Sequence, residues 1–212
     1  MSGPARFITL EGGEGAGKST QVLRLAAALR DKGLDVVETR EPGGSPGAEE
    51  IRRLLTTGET GRWSPMAETL LNFAARADHI RRTIGPGLAA GRWVISDRFA
   101  DSTMAYQGYG HGVDRGFIAA LAEAVLGPLK PDLTLVFDLP AEQGLARAAR
   151  RRGTEDRYEK MGSDFHEALR RGYLAIAAAE PGRCALIDAS GDEAATWARI
   201  AAAVNQRLGM AL

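Results

Sequence analysis

The sequence predicts an α/β fold, a five-stranded parallel sheet flanked by helices on both faces. Three observations carry that prediction. Short apolar runs alternate with longer amphipathic runs along all 212 residues. A glycine-rich G-x-x-x-x-G-K-[ST] segment joins the first strand-like run to the first helix-like run. No repeat, low-complexity tract or shift in composition marks a second unit, so one domain spanning 1–212 is expected. Strands separated by helices need crossover connections, which makes them parallel and covers the sheet on both faces.

Taken in order, Arg6-Phe7-Ile8-Thr9-Leu10 reads as a short buried strand, and Thr20 to Arg30 as an amphipathic helix. Further strands are expected at 35–39, 92–96, 132–137 and 184–188. Helical patterns cover about 46–57, 65–90, 114–127, 140–151, 163–180 and 192–208. Ligands of such sheets bind beyond the carboxyl ends of the strands. That rule gathers four stretches at one edge: residues 11–19, Arg40-Glu41-Pro42-Gly43-Gly44, Asp97-Arg98 and the segment after Asp138.

Between the first strand and helix lies Gly12-Gly13-Glu14-Gly15-Ala16-Gly17-Lys18-Ser19, with Thr20 next in the helix. Glycines let the backbone curl so that successive N–H groups point at phosphate oxygens, where the helix N-terminus adds its positive end. Lys18 can reach the terminal phosphates, and the Ser19 hydroxyl can ligate Mg²⁺. Only four lysines accompany 23 arginines in this chain, so a lysine at the motif position is not a compositional accident. The segment indicates binding of a nucleoside triphosphate.

Other stretches allow two readings each. Asp97, at the end of an apolar strand, can hold Mg²⁺ through water while Arg98 forks onto a phosphate, or the two can form a structural ion pair. Arg40 precedes a proline–glycine turn and is either a second phosphate ligand or part of an ordinary turn. Arg147, Arg150, Arg151, Arg152 and Arg157 put five arginines within eleven residues around Gly153. They form either a mobile lid over a migrating phosphoryl group, at about 148–160, or a solvated helix end. Phe73 and Arg76 share a helix face and suit a nucleobase, although a core phenylalanine beside a surface arginine has the same spacing. Thr103, Tyr106 and Gln107 offer a hydroxyl, an aromatic ring and an amide just beyond Asp97-Arg98. His79, His111 and His166 lack metal-site partners and read as incidental.

Lys+Arg and Asp+Glu both total 27, a zero formal charge that argues against nucleic acid or a membrane surface as partner. Cys184 is the only cysteine, so no internal disulfide or cysteine metal cage is expected. No uninterrupted apolar stretch reaches 18 residues, and the opening residues run straight into the first strand. A cytoplasmic setting is expected.

The chain resembles the bacterial thymidylate kinases, nucleoside monophosphate kinases with a phosphate-binding loop. The matching stretches are 11–19, 39–44, Asn72-Phe73-Ala74-Ala75-Arg76, Ser96-Asp97-Arg98, 101–108, 126–134 and Asp156-Arg157-Tyr158-Glu159. The resemblance implies transfer of the γ-phosphoryl group of ATP to dTMP with Mg²⁺, by a homodimer packed through helices. It implies that Lys18 and the loop hold ATP, that Ser19 and Asp97 attend the metal, and that Glu14 contacts the deoxyribose 3′-hydroxyl. By the same resemblance Arg40 and Arg98 bind the acceptor phosphate, Phe73 stacks on thymine, Arg76 and Gln107 bond its edge, and Tyr106 crowds the ribose 2′ position. One branch of the family carries a catalytic arginine within the loop. Gly15 stands there in this chain, which implies a lid arginine instead: Arg152, with Arg150 and Arg151 as alternatives. A kinase of another nucleoside monophosphate, a nucleotide-dependent switch and a nucleic-acid-dependent ATPase are the competing readings.

Overall fold

The centre of the computed structural model, which describes residues 4–150 and 156–212, is a parallel sheet of five strands. These are β1 (Phe7–Gly12), β2 (Val36–Arg40), β3 (Trp93–Asp97), β4 (Leu133–Asp138) and β5 (Cys184–Asp188), in the order β2-β3-β1-β4-β5. The three inner strands are almost wholly buried, as near-continuous apolar runs in a doubly covered sheet must be. The edge strands β2 and β5 are only partly covered. Side chains alternate between the two faces. Ile8, Leu10 and Ile95 pack against α1 (Lys18–Asp31) and α9 (Glu193–Leu208), while Phe7 and Val94 join a cluster on the opposite face.

The remaining helices are α2 (Pro46–Thr56), α3 (Pro65–His79), α4 (Gly85–Ala89), α5 (Ala100–Thr103), α6 (Arg115–Leu126), α7 (Ala141–Ala148) and α8 (Ser163–Ala179). Their starts are written in the sequence. Ser64 accepts a hydrogen bond from Ala67 N–H at 3.2 Å, ahead of Pro65 at the first helical position. Asp114 and Asp192 cap α6 and α9 in the same way, each at 2.7 Å.

Two departures from the sequence pattern matter. The helix expected over 65–90 is interrupted by a π-helical stretch, Ile80–Ile84. Pro86 has no N–H to give and its ring would crowd the carbonyl four residues back; a wider turn just ahead accommodates it. Residues 100–110, which carry no helical signature, form α5 and a second π-helical stretch, Met104–Gly110. The first strand also extends two residues past Leu10, because Glu11 and Gly12 pair with Val136 and Phe137 of β4.

The topology brings the site together. β1 and β3 are neighbours, with Leu10 opposite Asp97, and β2 lies beyond β3, with Arg40 opposite Asp97. The loop after β1 and the Asp97-Arg98 pair after β3 therefore open into one crevice.

Candidate active site

The loop after β1 has the backbone its glycines require. Gly12, Gly15 and Gly17 have φ of 140°, 67° and 86°, a region that L side chains seldom enter. Gly15 is also locked by packing. A Cβ there would meet the carbonyl oxygen of Gly144 on α7, and a Cβ on Gly144 would meet the carbonyl of Glu14. The loop and α7 thus touch backbone to backbone, which closes position 15 to an arginine. Lys18 is buried, its ammonium donating to the carbonyls of Gly12 at 3.1 Å and Gly13 at 2.8 Å. Burial, and then the charge of Arg98, bring it down to about 8. Ser19 donates to Asp97 Oδ2 at 2.5 Å.

Arg98 is the hub. Its φ is 70°, a conformation that costs a residue with a Cβ about 1–2 kcal/mol. Ser96 Oγ donates to its carbonyl at 2.7 Å and its N–H donates to Leu10 O at 2.9 Å, so the turn is held on both sides. The guanidinium then reaches Gly12 O at 2.8 Å, Tyr173 OH at 3.0 Å and Glu14 Oε1 at 3.0 Å. Burial opposes its charge, but Tyr106, Glu14, Tyr173 and Asp97 outweigh that and hold it well above its ordinary value. Tyr106 lies under the guanidinium at 4.9 Å and donates to Glu14 at 2.6 Å. Beneath them the carboxyl of Glu11 accepts from Phe99 N–H, Ser102 and Tyr173. Burial, and then the charge of Asp101, raise Glu11 to about 7.

Beside Arg98 opens a cavity whose lining includes Glu14, Glu41, Arg52, Thr103, Tyr106 and Gln107. Gln107 is buried, and its Nε2 donates to Glu68 at 3.1 Å. Its Oε1 has no partner among the described residues. Arg76 is 2 % exposed; its Nε donates to Glu41 at 2.8 Å, and its Nη2 to Phe99 O at 3.0 Å and Thr103 at 3.1 Å. Nη1 is left unpartnered among the described residues. Glu68 on Gln107, and Glu41, Phe99 O and Thr103 on Arg76, thus leave an acceptor spare on Gln107 and a donor spare on Arg76.

The residues singled out in the sequence are not all placed alike. Glu14, Lys18, Ser19, Asp97, Arg98, Thr103, Tyr106 and Gln107 converge on the crevice and its adjoining cavity. Phe73 is buried with Val113 and Ile118, its ring 4.9 Å from the Arg76 guanidinium, and neither Phe73 nor Arg76 belongs to the cavity lining. Arg40 lies outside it too, in a shallower groove with Ser19 and Asp97, and donates to Glu49 at 3.0 Å. Arg151 and Arg152 lie outside the described residues; Arg150 is exposed just after α7. Arg52 and Glu41 escaped the sequence reading. Arg52 looks like any arginine of an amphipathic helix, while Glu41 stood in view inside the Arg40–Gly44 turn. His79 is not incidental: it is fully buried, with Nδ1 2.9 Å from Glu41 Oε1. Arg157 is buried as well, ion-paired to Glu68 and donating to Leu55 O at 3.1 Å.

A phosphate-binding loop at the N-terminus of α1, an arginine hub beside it and a polar cavity for a second ligand define a phosphotransferase of the nucleoside monophosphate kinase type. The family model for thymidylate kinase matches residues 10–200. The chain is 59 % identical over 204 residues to the thymidylate kinase of Caulobacter vibrioides, covering 96 % of this chain and 98 % of that one. It is 51 % identical over 212 residues to that of Afipia carboxidovorans, covering 99 % and 93 %. The crystal structure of thymidylate kinase from Ehrlichia chaffeensis superposes with a TM-score of 0.72 at 35 % identity, over 87 % of this chain and 93 % of that one. The chain belongs to the thymidylate kinase family, ATP-dependent phosphotransferases.

Proposed function

We propose that this chain phosphorylates dTMP with ATP, and that the spare acceptor on Gln107, in the cavity lining, together with the spare donor on the buried Arg76, selects the base. Thymine presents an N3–H donor next to the O4 acceptor, the complement of that pair. Cytosine presents the reverse, a bare N3 and an amino group. A buried acceptor facing an acceptor, beside a donor facing a donor, leaves four groups unsatisfied in a dry pocket. The measurement is ATP consumption with each common nucleoside monophosphate in turn. A kcat/KM for dCMP at least about a hundredfold below that for dTMP is expected. Equal turnover across the panel, or none with dTMP, refutes the reading.

In this scheme the loop N–H groups and Lys18 hold the ATP phosphates, and the anion replaces the loop carbonyls that Lys18 now contacts. Arg98 and Arg52, which line the acceptor cavity, meet the acceptor phosphate, with Arg40 at the margin of the crevice. Tyr106, tied to Glu14, closes the space beside the sugar and favours a deoxynucleotide, while Glu14 faces the 3′-hydroxyl. Phe73 acts from behind Arg76. Ser19 and Asp97 are paired oxygen groups of the kind Mg²⁺ takes, and among the described residues no cluster of three or more His, Cys, Asp or Glu offers another metal site. When bound there, Mg²⁺ neutralises charge on the transferred phosphoryl group. The protein's own part is positioning and charge.

With position 15 closed by Gly144, the remaining positive charge comes from the lid at about 148–160, with Arg152 the first choice. Arg152→Ala should lower kcat far more than it raises either KM; a pure KM effect argues against a transition-state role. A homodimer is supported by apolar surface left open on two helices that pack together: Met66 and Leu70 of α3 and Ala119, Ala120 and Ala124 of α6 are exposed. Among the described residues no helix is long and apolar enough to cross a membrane, in keeping with a cytoplasmic enzyme.

A further inference from the structure

We infer that Glu68, paired with Arg157, is a positioning residue for base recognition: it fixes which end of the Gln107 amide faces the cavity. This rests on the reading of Gln107 above. The three side chains are buried together, Glu68 and Gln107 each 1 % exposed and Arg157 0 %. Glu68 Oε1 is ion-paired to Arg157 Nη2, and Oε2 accepts from Gln107 Nε2 at 3.1 Å. Arg157 is also held from two other sides. Its Nη1 donates to Leu55 O at 3.1 Å and its Nε to Glu59 O at 3.2 Å, carbonyls at and just past the end of α2. Tyr158 OH donates to Glu68 Oε2 at 3.3 Å, and since a hydroxyl can equally accept, it sets no polarity. His111 Nε2 lies 3.6 Å from the same oxygen, beyond hydrogen-bond reach.

Donors and acceptors decide the rest. A guanidinium only donates and a carboxylate only accepts, whereas a glutamine amide has one end of each kind. With Arg157 as its counter-charge, Glu68 stays ionised although buried, and both of its oxygens are acceptors. Gln107 therefore gives it Nε2, and Oε1 is left for the cavity. Glutamine at position 68 would keep nearly the same shape but not the same polarity. Arg157, fixed by two carbonyls, would claim the oxygen of that amide and leave its N–H to Gln107. The Gln107 amide would then turn over, accept through Oε1 and present Nε2 to the base. A donor there opposes the N3–H of thymine and complements the bare N3 of cytosine. The charge of Glu68, not its shape, carries the preference.

The experiment measures kcat/KM for dTMP and for dCMP. Glu68→Gln should lower the value for dTMP about tenfold, raise that for dCMP about fivefold or more above wild type, and leave KM for ATP within about twofold. The gain with dCMP is the decisive readout, because a loosened fold would slow both nucleotides. Glu68→Leu combined with Arg157→Met replaces the ion pair by apolar side chains and frees the Gln107 amide to face either way. It should give a preference between those of wild type and Glu68→Gln, a second test should the glutamine variant fail to fold. Gln107→Leu should lower the preference for dTMP at least about tenfold. If it does so while the Glu68 variants keep the wild-type preference, or lose activity equally with both nucleotides, the role of Glu68 alone is overturned. A wild-type preference that survives Gln107→Leu overturns the reading of Gln107, and this inference with it.

Discussion

Glu11→Gln should make the protein more stable at alkaline pH and leave it nearly unchanged in acid. Glu11 is completely buried at the centre of the sheet, and burial followed by the charge of Asp101 raises it from the ordinary 4.5 to about 7. Between those values the folded chain holds a proton that the unfolded chain has released. Stability therefore falls as pH rises through this window, and the full penalty stands above about 7. A rise from 4.5 to about 7 corresponds to about 3 kcal/mol, at about 1.4 kcal/mol per tenfold in proton affinity. Glutamine keeps the acceptor for Phe99 N–H and offers an amide to Ser102 and Tyr173, so shape and most hydrogen bonds survive. In a chain of this size, 1 kcal/mol moves Tm by about 2–4 °C, so the variant should melt roughly 6–12 °C higher at pH 8. The advantage should shrink below about 1 kcal/mol at pH 5. Thermal melts of both proteins at pH 5, 6, 7 and 8 read the difference directly, since every other titrating group is common to both. An offset independent of pH, or a variant less stable at pH 8, refutes the argument that Glu11 is held partly protonated by burial.

Gly15→Ala forces a Cβ onto the Gly144 carbonyl at a positive φ and should cost about 2–4 kcal/mol in thermal stability while raising KM for ATP; an unchanged melt and KM would mean that the loop and α7 do not touch in solution. Arg98→Lys keeps the charge but loses the fork that spans Gly12, Tyr173 and Glu14, so kcat/KM for dTMP should fall about a hundredfold or more; a loss below tenfold would remove Arg98 from its central place. Leu70→Glu places a charge on the half-exposed patch of α3 and should shift a dimer to monomer in light scattering; an unaltered mass would move the interface elsewhere. Burial pushes the Cys184 thiol up to about 11, so the native protein should resist alkylation at pH 8 over hours, and rapid stoichiometric labelling would contradict its burial.

Much of this site was legible from one strand–loop–helix unit. Residues 12–19 carry glycines where the backbone must turn and a lysine and serine where phosphate chemistry needs them, so motif and local structure coincide. Position 97 followed as directly, from an apolar strand ending in Asp-Arg. The proposed base site was harder. Phe73 and Arg76 share a helix face, but their spacing cannot distinguish a ring that stacks on a ligand from one packed in the core; in the structure the Phe73 ring is buried 4.9 Å from the Arg76 guanidinium. Arg52 and His79 carry no local signal at all; what matters about them is which carboxylate or cavity the fold puts opposite. Gln107 belongs to a stretch with two glycines and no helical period, and its placement depends on a π-helical turn packed against α8, α5, α6 and α3.

The sequence by itself determined the order of strands and helices, the phosphate loop and the family, because periodicity, turn chemistry and motif spacing are properties of neighbouring residues. The tertiary structure decided which atoms are spare. Whether Gln107 offers its oxygen or its nitrogen depends on Glu68, and the Nε side of Arg76 is taken because Glu41 lies opposite it. Position 15 excludes a side chain because of Gly144. Each of these follows from a partner between 35 and 129 residues away, and a hydrogen bond or steric contact acts over a few ångströms whatever the distance along the chain.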